Sequence, residues 1–412
     1  MKLAVEQERL ASEIETLAAF SDAEAPAVTR VVFTPTDRKA RAWVKDRCKD
    51  AGLVIRDDAI GNTFARWPGS DPSLPIVGTG SHIDAIPNAG KYDGVVGVLG
   101  GIEAMRALQR ARFHPRHSIE LLIFTSEEPT RFGIGCLGSR LLSGTLSADA
   151  ARKLTDNDGA SVDEVRRNAG LTGELEQVKL PTGYYKAFVE LHIEQGPILE
   201  REHLPLGVVE RIAAPASLRV TVEGAGGHAG GVLMPDRRDA LCAAAELILA
   251  LEQAARASGA IDTVATVGMC DVFPGAVNSI PARVRLSVDI RDTSLARRDG
   301  VVRALEEACR TVSSKRQVTI HSEWLNADAP AESGSAIVAA LRQACEKHGF
   351  SFLPMTSRAY HDSLFMSRIA PVAMLFIPCH NGYSHRPDEY ASPDDIARGT
   401  LVLAETLSTL AE

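Results

Sequence analysis

Apolar and polar positions along the chain follow two periodicities, and the places where one gives way to the other mark its elements. Residues 1–20, MKLAVEQERLASEIETLAAF, thread glutamates through a helical apolar spacing and predict an amphipathic helix, not a signal peptide. From 37 to 52, Ala40, Trp43, Val44 and Cys48 recur at helical spacing, and Gly52 stands where such a helix stops. Short strands at 53–56 and 62–67 flank a turn at 59–61. The apolar run 74–77 predicts a buried strand opening into the glycine-rich stretch 78–97, GTGSHIDAIPNAGKYDGVVG. A glycine-rich helix is expected over 95–111, a buried strand over 117–125, helical sequence over 133–144 and a polar surface excursion over 156–173. A strand over 185–193 is closed by the turn that Gly196-Pro197 enforces.

Between 213 and 324 the pattern changes. Strand 218–222, helix 238–257, strands 263–272 and 282–290, helix 294–312 and strand 317–323 give the order β-α-β-β-α-β, the ferredoxin-like arrangement, at the size of an inserted domain. The first pattern then resumes with a helix over 335–348, a polar turn over 358–363, a strand over 371–377 and a last helix over 393–410. The expected architecture is therefore α/β. A mixed-sheet domain with helices on both faces spans 1–212 and 325–412, and the second domain spans 213–324.

Composition narrows the classes of partner. The 412 residues are 45% hydrophobic and 24% charged, with a net charge of −8. An acidic balance without a basic cluster argues against nucleic acid or an anionic membrane as the main partner. No run of about 18 apolar residues offers a membrane span. Seven cysteines without CxxC spacing fit reduced thiols and a cytoplasmic location.

Ligand-type residues gather where strands are predicted to end. His82 and Asp84 follow the first buried strand, Asp93 sits in a glycine-flanked turn, Glu127-Glu128 follow the second, His192 closes the third, and His385 lies in the loop after the last. Open α/β sheets bind ligands at such carboxyl ends. Alone, the HxD pair is equally a turn whose aspartates cap nearby amides, and Glu127-Glu128 alone is a solvated loop. Together, His82, Asp93, Glu128, His192 and His385 form a nitrogen and oxygen set suited to zinc, manganese or cobalt rather than calcium. One ion would use three protein ligands and leave two unexplained. Two ions sharing a carboxylate, best Asp93, would use all five.

His82-x-Asp84, Asp93-Gly94, Glu127-Glu128, HIEQGP (192–197) and Ser384-His385 resemble the dinuclear M20 metallopeptidase and amidohydrolase family over nearly the whole chain. The resemblance implies a metallopeptidase-like catalytic domain holding two divalent ions, manganese by likeness although zinc fits the same ligands. It places His82, Asp93 and His192 around one ion and Asp93, Glu128 and His385 around the other. It makes Glu127 the general base, with Asp84 receiving the free imidazole N–H of His82.

HIEQGPILE resembles the branch that hydrolyses ureido and N-carbamoyl compounds rather than peptides. By that likeness the inserted domain is a lid and dimerisation domain. His228, from the partner subunit of a homodimer, polarises the scissile carbonyl; Asn278 bonds the substrate and Arg291 clamps its carboxylate. Gln195 is expected to face the substrate, or else to tie down the Gly-Pro turn. The stretches 212–218 and 357–366 depart from the allantoate and N-carbamoyl amino-acid hydrolases. Tyr360 fills a position small in those relatives, where a phenol favours a small ureido-bearing hydroxy acid, and His361 is expected to help bind its carboxylate or ureido group. Allantoate or N-carbamoyl-L-amino-acid hydrolysis with the same machinery is the close alternative. An aminopeptidase or a noncatalytic metal-binding protein is the distant one. His380, near His385 in sequence, is left open.

Overall fold

In the computed structural model, which describes residues 2–412, the chain divides into two compact units. One comprises residues up to 210, 332–357 and 361–412; the other comprises 211–331 and 358–360. The second unit thus runs beyond the expected limit at 324, because its last strand, Thr319–Ala327, continues to pair as far as Ala327. Residues 358–360 join it as well.

The first unit is built on a mixed sheet. Its central strands stand in the order Val372–Ile377, Tyr185–Ile193, Ile76–His82 and Ile119–Phe124, and all three pairings are parallel. Antiparallel neighbours flank them: Leu206–Ile212 on one side, Thr63–Trp67 and then Val54–Asp57 on the other. Parallel strands share one carboxyl edge, so the sequences after His82, Phe124, Ile193 and Ile377 must emerge together. Sequence periodicity did not reveal Leu206–Ile212, Phe352–Ser357 or the antiparallel pair of Val28–Arg30 with Ala85–Ala89. These elements are short and their partners lie far away in the chain.

Alternation along the strands sends side chains to two cores. Ile119, Leu121 and Ile123 face a layer with Leu99, Ile102, Leu341, Leu403 and Leu407. Leu122, Phe124 and Phe188 face another with Leu137, Leu141 and Val165. The helix Val95–Arg110 is buried around almost its whole circumference, and its glycines allow that. A Cβ on Gly97 would stand 2.4 Å from the Leu191 carbonyl oxygen, so the helix lies close against the strand that carries His192.

The second unit is a four-stranded antiparallel sheet in the order Val264–Phe273, Arg283–Asp292, Ala214–Glu223, Thr319–Ala327. Helices Ala240–Ala257 and Leu295–Arg316 cover it through Leu218, Val220, Leu247, Leu286, Val302 and Leu305. This is the β-α-β-β-α-β order with the strand arrangement of a ferredoxin-like sheet. Among the described residues no helix is long and apolar enough to cross a membrane.

Candidate dinuclear metal centre

At the shared carboxyl edge, three groups of ligand atoms come within 4.8 Å of one another: His82, Asp93 and His192; Asp93, Glu128 and His385; and Glu190, His192 and His361. The first two share Asp93, and its oxygens divide between them. Oδ1 lies 3.1 Å from His192 Nε2 and 3.6 Å from His82 Nε2. Oδ2 lies 3.2 Å from His385 Nε2, which is also 3.2 Å from Glu128 Oε1. Around an ion with bonds of 2.0–2.1 Å, neighbouring tetrahedral ligands are about 3.3 Å apart, so these spacings match a polyhedron's edges.

Tautomers agree. His82 Nδ1 is 3.0 Å from the Asp84 carbonyl and His192 Nδ1 is 2.9 Å from the Ile193 carbonyl. Each Nδ1 carries the proton and donates, so each Nε2 presents a lone pair to the cluster. On His192 that lone pair also meets the Gly94 N–H at 3.2 Å. The residues therefore fit two divalent ions. The electrostatics point the same way: Asp93 and Glu128 push His385 up to about 11, as carboxylates placed to hold positive charge do.

One expectation is corrected. The His82 N–H goes to the main-chain oxygen of Asp84, whose carboxylate is farther away at 3.6 Å. That carboxylate instead accepts the Glu127 and Glu128 N–H groups at 3.3 and 3.0 Å, so Asp84 fixes the backbone of both glutamates. Gln195, in the left-handed region at φ 54°, donates from Nε2 to Asp93 Oδ2 at 2.7 Å. Its buried Oε1 has no hydrogen-bond partner among the described residues.

Glu127 is buried, with Oε2 3.9 Å from His82 Nε2. Burial and the charges of Glu128, Asp362 and Asp84 push its carboxyl well above the usual range, against the pull of His82. The thiol of Cys136 donates to Glu127 Oε1 at 3.3 Å.

The third ligand group overlaps the first through His192. Glu190 is already committed: it accepts Ser81 Oγ at 2.7 Å, Ser363 Oγ at 2.6 Å and the Ser363 N–H at 3.3 Å. It acts as an anchor for the segment that carries His361, whose ring centroid is 4.6 Å from that of His192. Sequence reasoning also missed two buried arginines. Arg30 donates to the Ile83 carbonyl at 2.6 Å and Arg41 to the Phe124 carbonyl at 2.7 Å, which secures two of the strand ends from behind. A basic residue inside an α/β core carries no sequence signal distinguishing it from a solvated one.

In the second unit, His228 and Asn278 are neighbours. Gly227–His228 pairs with Ser279–Ile280, the Asn278 carbonyl accepts the Ala229 N–H at 2.9 Å, and both side chains are exposed. Arg291, expected to be a free clamp, is engaged by Asp289 at 2.7 Å and by the Arg358 carbonyl at 3.2 Å. The Tyr360 hydroxyl donates to Asp328 Oδ2 at 2.7 Å and receives the Asn326 amide at 3.3 Å. His380 stands apart from the metal cluster: its Nδ1 pairs with Glu200 at 2.8 Å beside a cavity of about 540 Å³ that none of the five ligands lines.

Gly94, with φ 66°, shows how tightly this edge is built. A Cβ there would stand 2.5 Å from His82 Nε2. Gly94→Ala is expected to lose stability, about 1–3 kcal/mol from the backbone alone, and to displace His82. Thermal unfolding and metal content per chain measure the two effects, and normal values for both would contradict the geometry.

Known proteins share these features. Residues 78–409 match Peptidase family M20/M25/M40. The chain is 53% identical to a ureidoglycolate hydrolase of Arabidopsis thaliana, covering 99% of this chain and 87% of that protein. It is 50% identical to a ureidoglycolate hydrolase of Oryza sativa subsp. japonica, covering 98% and 85%. The crystal structure of AtUAH in complex with glyoxylate superposes with a TM-score of 0.90 at 51% identity, covering 99% of this chain and 98% of that one. With the match running from the strand that carries His82 into the last helix, the chain belongs to peptidase family M20/M25/M40.

Proposed function

We propose that this chain is a metal-dependent amidohydrolase that cleaves the ureido amide bond of (S)-ureidoglycolate, releasing ammonia and ultimately glyoxylate. The observation that carries the chemistry is the Asp93 carboxylate standing between two ligand groups. The choice of substrate is supported by 53% identity to a ureidoglycolate hydrolase over 99% of the chain.

His82, Asp93 and His192 would hold one divalent ion and Asp93, Glu128 and His385 the other, manganese by family likeness. Bound there, the ions supply electrostatic activation of water and of the scissile carbonyl. Glu127 takes the proton of the attacking water on its carboxylate and returns it to the leaving nitrogen. Its backbone is held by Asp84 and its side chain by the Cys136 thiol, so the carboxylate does not swing away between the two transfers. His361 lies beside His192, where a substrate carboxylate or ureido group would be received. His228, on a short strand pair, and Asn278, just before its partner strand, are both exposed and suited to act on a substrate held by the other chain of a homodimer. In this reading His228 of the partner subunit steadies the oxyanion, Asn278 bonds the substrate and the second unit serves as lid and dimerisation domain. Arg291 would exchange Asp289 for the substrate carboxylate, and Tyr360, oriented by Asp328 and Asn326, would present its oxygen to the substrate hydroxyl.

Ammonia release from (S)-ureidoglycolate, allantoate and an N-carbamoyl-L-amino acid by the metal-loaded protein tests the reading. The expected order of kcat/KM puts (S)-ureidoglycolate first by at least tenfold. A higher value on either of the others would move the assignment to that substrate.

A further inference from the structure

The proposed metal centre leans on a carboxylate that is not one of its ligands. Glu389 lies four residues past His385 and is 4% exposed. Its Oε1 accepts two consecutive main-chain N–H groups, Tyr92 at 2.8 Å and Asp93 at 3.1 Å. Its Oε2 is 3.0 Å from Ser384 Oγ, which in turn lies 2.7 Å from Asp93 Oδ2. Glu389 therefore grips Asp93 directly at the backbone, while the one Ser384 O–H, which can donate to a single carboxylate at a time, makes its shorter contact with Asp93 Oδ2.

Packing makes the grip stiff. A Cβ on Gly90 would stand 2.3 Å from Glu389 Cβ and 2.4 Å from Oε1, so the loop before Asp93 closes directly onto this side chain. The segments joined are almost 300 residues apart in sequence, the glycine turn after Ile76–His82 and the loop after Val372–Ile377. These two segments supply the shared carboxylate and the most exposed of the five ligands, His385, whose side chain is 46% accessible. His385 itself sits at φ 60°, in the left-handed region, and Ser384, in the same loop, reaches with it toward Asp93.

We propose that Glu389 is a positioning residue for the dinuclear centre: by holding the Tyr92 and Asp93 amides, beside the Ser384 hydroxyl that bonds the Asp93 carboxylate, it fixes that carboxylate between the two ligand groups. It touches neither substrate nor reacting atoms. The inference rests on the two-ion reading above and adds to it the residue that sets the bridge. Outer partners of this kind are worth about 10–100-fold in metal affinity, because an undirected ligand must be ordered when the ion binds.

The test is metal retention. Metal-loaded full-length protein, wild type and variants, is equilibrated against a graded chelator series, and manganese or zinc per chain is measured by elemental analysis. Glu389→Ala leaves both amides without an acceptor and is expected to weaken retention of both ions about 10–100-fold. Glu389→Gln keeps an oxygen for the amides and an amide donor for the Ser384 oxygen, so it is expected to recover most of that loss. Ser384→Ala, a small surface-side change that leaves the fold intact even if Glu389→Ala does not, is expected to fall between wild type and Glu389→Ala. Unchanged retention in Ser384→Ala and Glu389→Ala, or a Gln variant as weak as the Ala variant, would overturn the positioning role while leaving the metal centre in place. A wild-type chain that retains no divalent ion would instead remove the two-ion reading and this inference with it.

Discussion

Glu127→Gln is expected to keep its metal and lose turnover by about 10²–10⁴-fold, the usual share of a positioned acid-base group. Glutamine has the same shape and still offers an oxygen to the Cys136 thiol, and the Glu127 and Glu128 N–H groups still reach Asp84. What disappears is the carboxylate that accepts and returns a proton. Without bound ions, burial and three neighbouring acids hold the Glu127 carboxyl above the usual range. Steady-state kinetics beside metal content separate the outcomes. Near-normal kcat in a fully loaded variant would remove Glu127 from the mechanism, whereas a metal-poor variant would assign it to binding.

Asp93→Asn is expected to have a larger effect on the ions than on the fold. The aspartate presents one oxygen to each ligand group, 3.1 Å from His192 and 3.2 Å from His385. Asparagine can present its single oxygen to one group only and turns an N–H₂ toward the other, a donor where an ion needs a lone pair. Retention of at least one ion should therefore fall by more than the roughly 100-fold that losing an outer partner costs, with activity lost in proportion. The backbone amide of Asp93 still binds Glu389, so the unfolding temperature of the metal-free protein should hardly change. Two ions per chain in this variant would show that the carboxylate is not shared.

How far the sequence could be read depended on the range of the interaction. Strand 185–193 and the helix from 95 were legible because periodicity and β-branched content are local, and the boundaries found are Tyr185–Ile193 and Val95–Arg110. The five ligand-type residues stood out because each follows an apolar run and lies beside glycine or another polar residue. Their partners did not. The family resemblance made Asp84 the support for His82, yet its carboxylate reaches instead to the amides of Glu127 and Glu128, 43 and 44 residues away. Gln195 and Arg291 looked free to meet a substrate, since nothing local shows that Asp93 and Asp289 already engage them. Glu389 and Arg30 are both buried, and composition carries nothing that separates them from surface charges.

By itself the sequence determined the α/β class, the inserted β-α-β-β-α-β segment and the residue types of a nitrogen and oxygen metal set, all properties carried within one element or one loop. Only the tertiary structure decided which oxygen of Asp93 faces which histidine, that the Nδ1 protons of His82 and His192 are spent on main-chain carbonyls, and that Glu389 reaches back across nearly 300 residues to hold the bridge. The reason is physical. Four parallel strands bring their carboxyl ends to one edge, and ligand direction there is set by hydrogen bonds between segments that never meet until the sheet has formed.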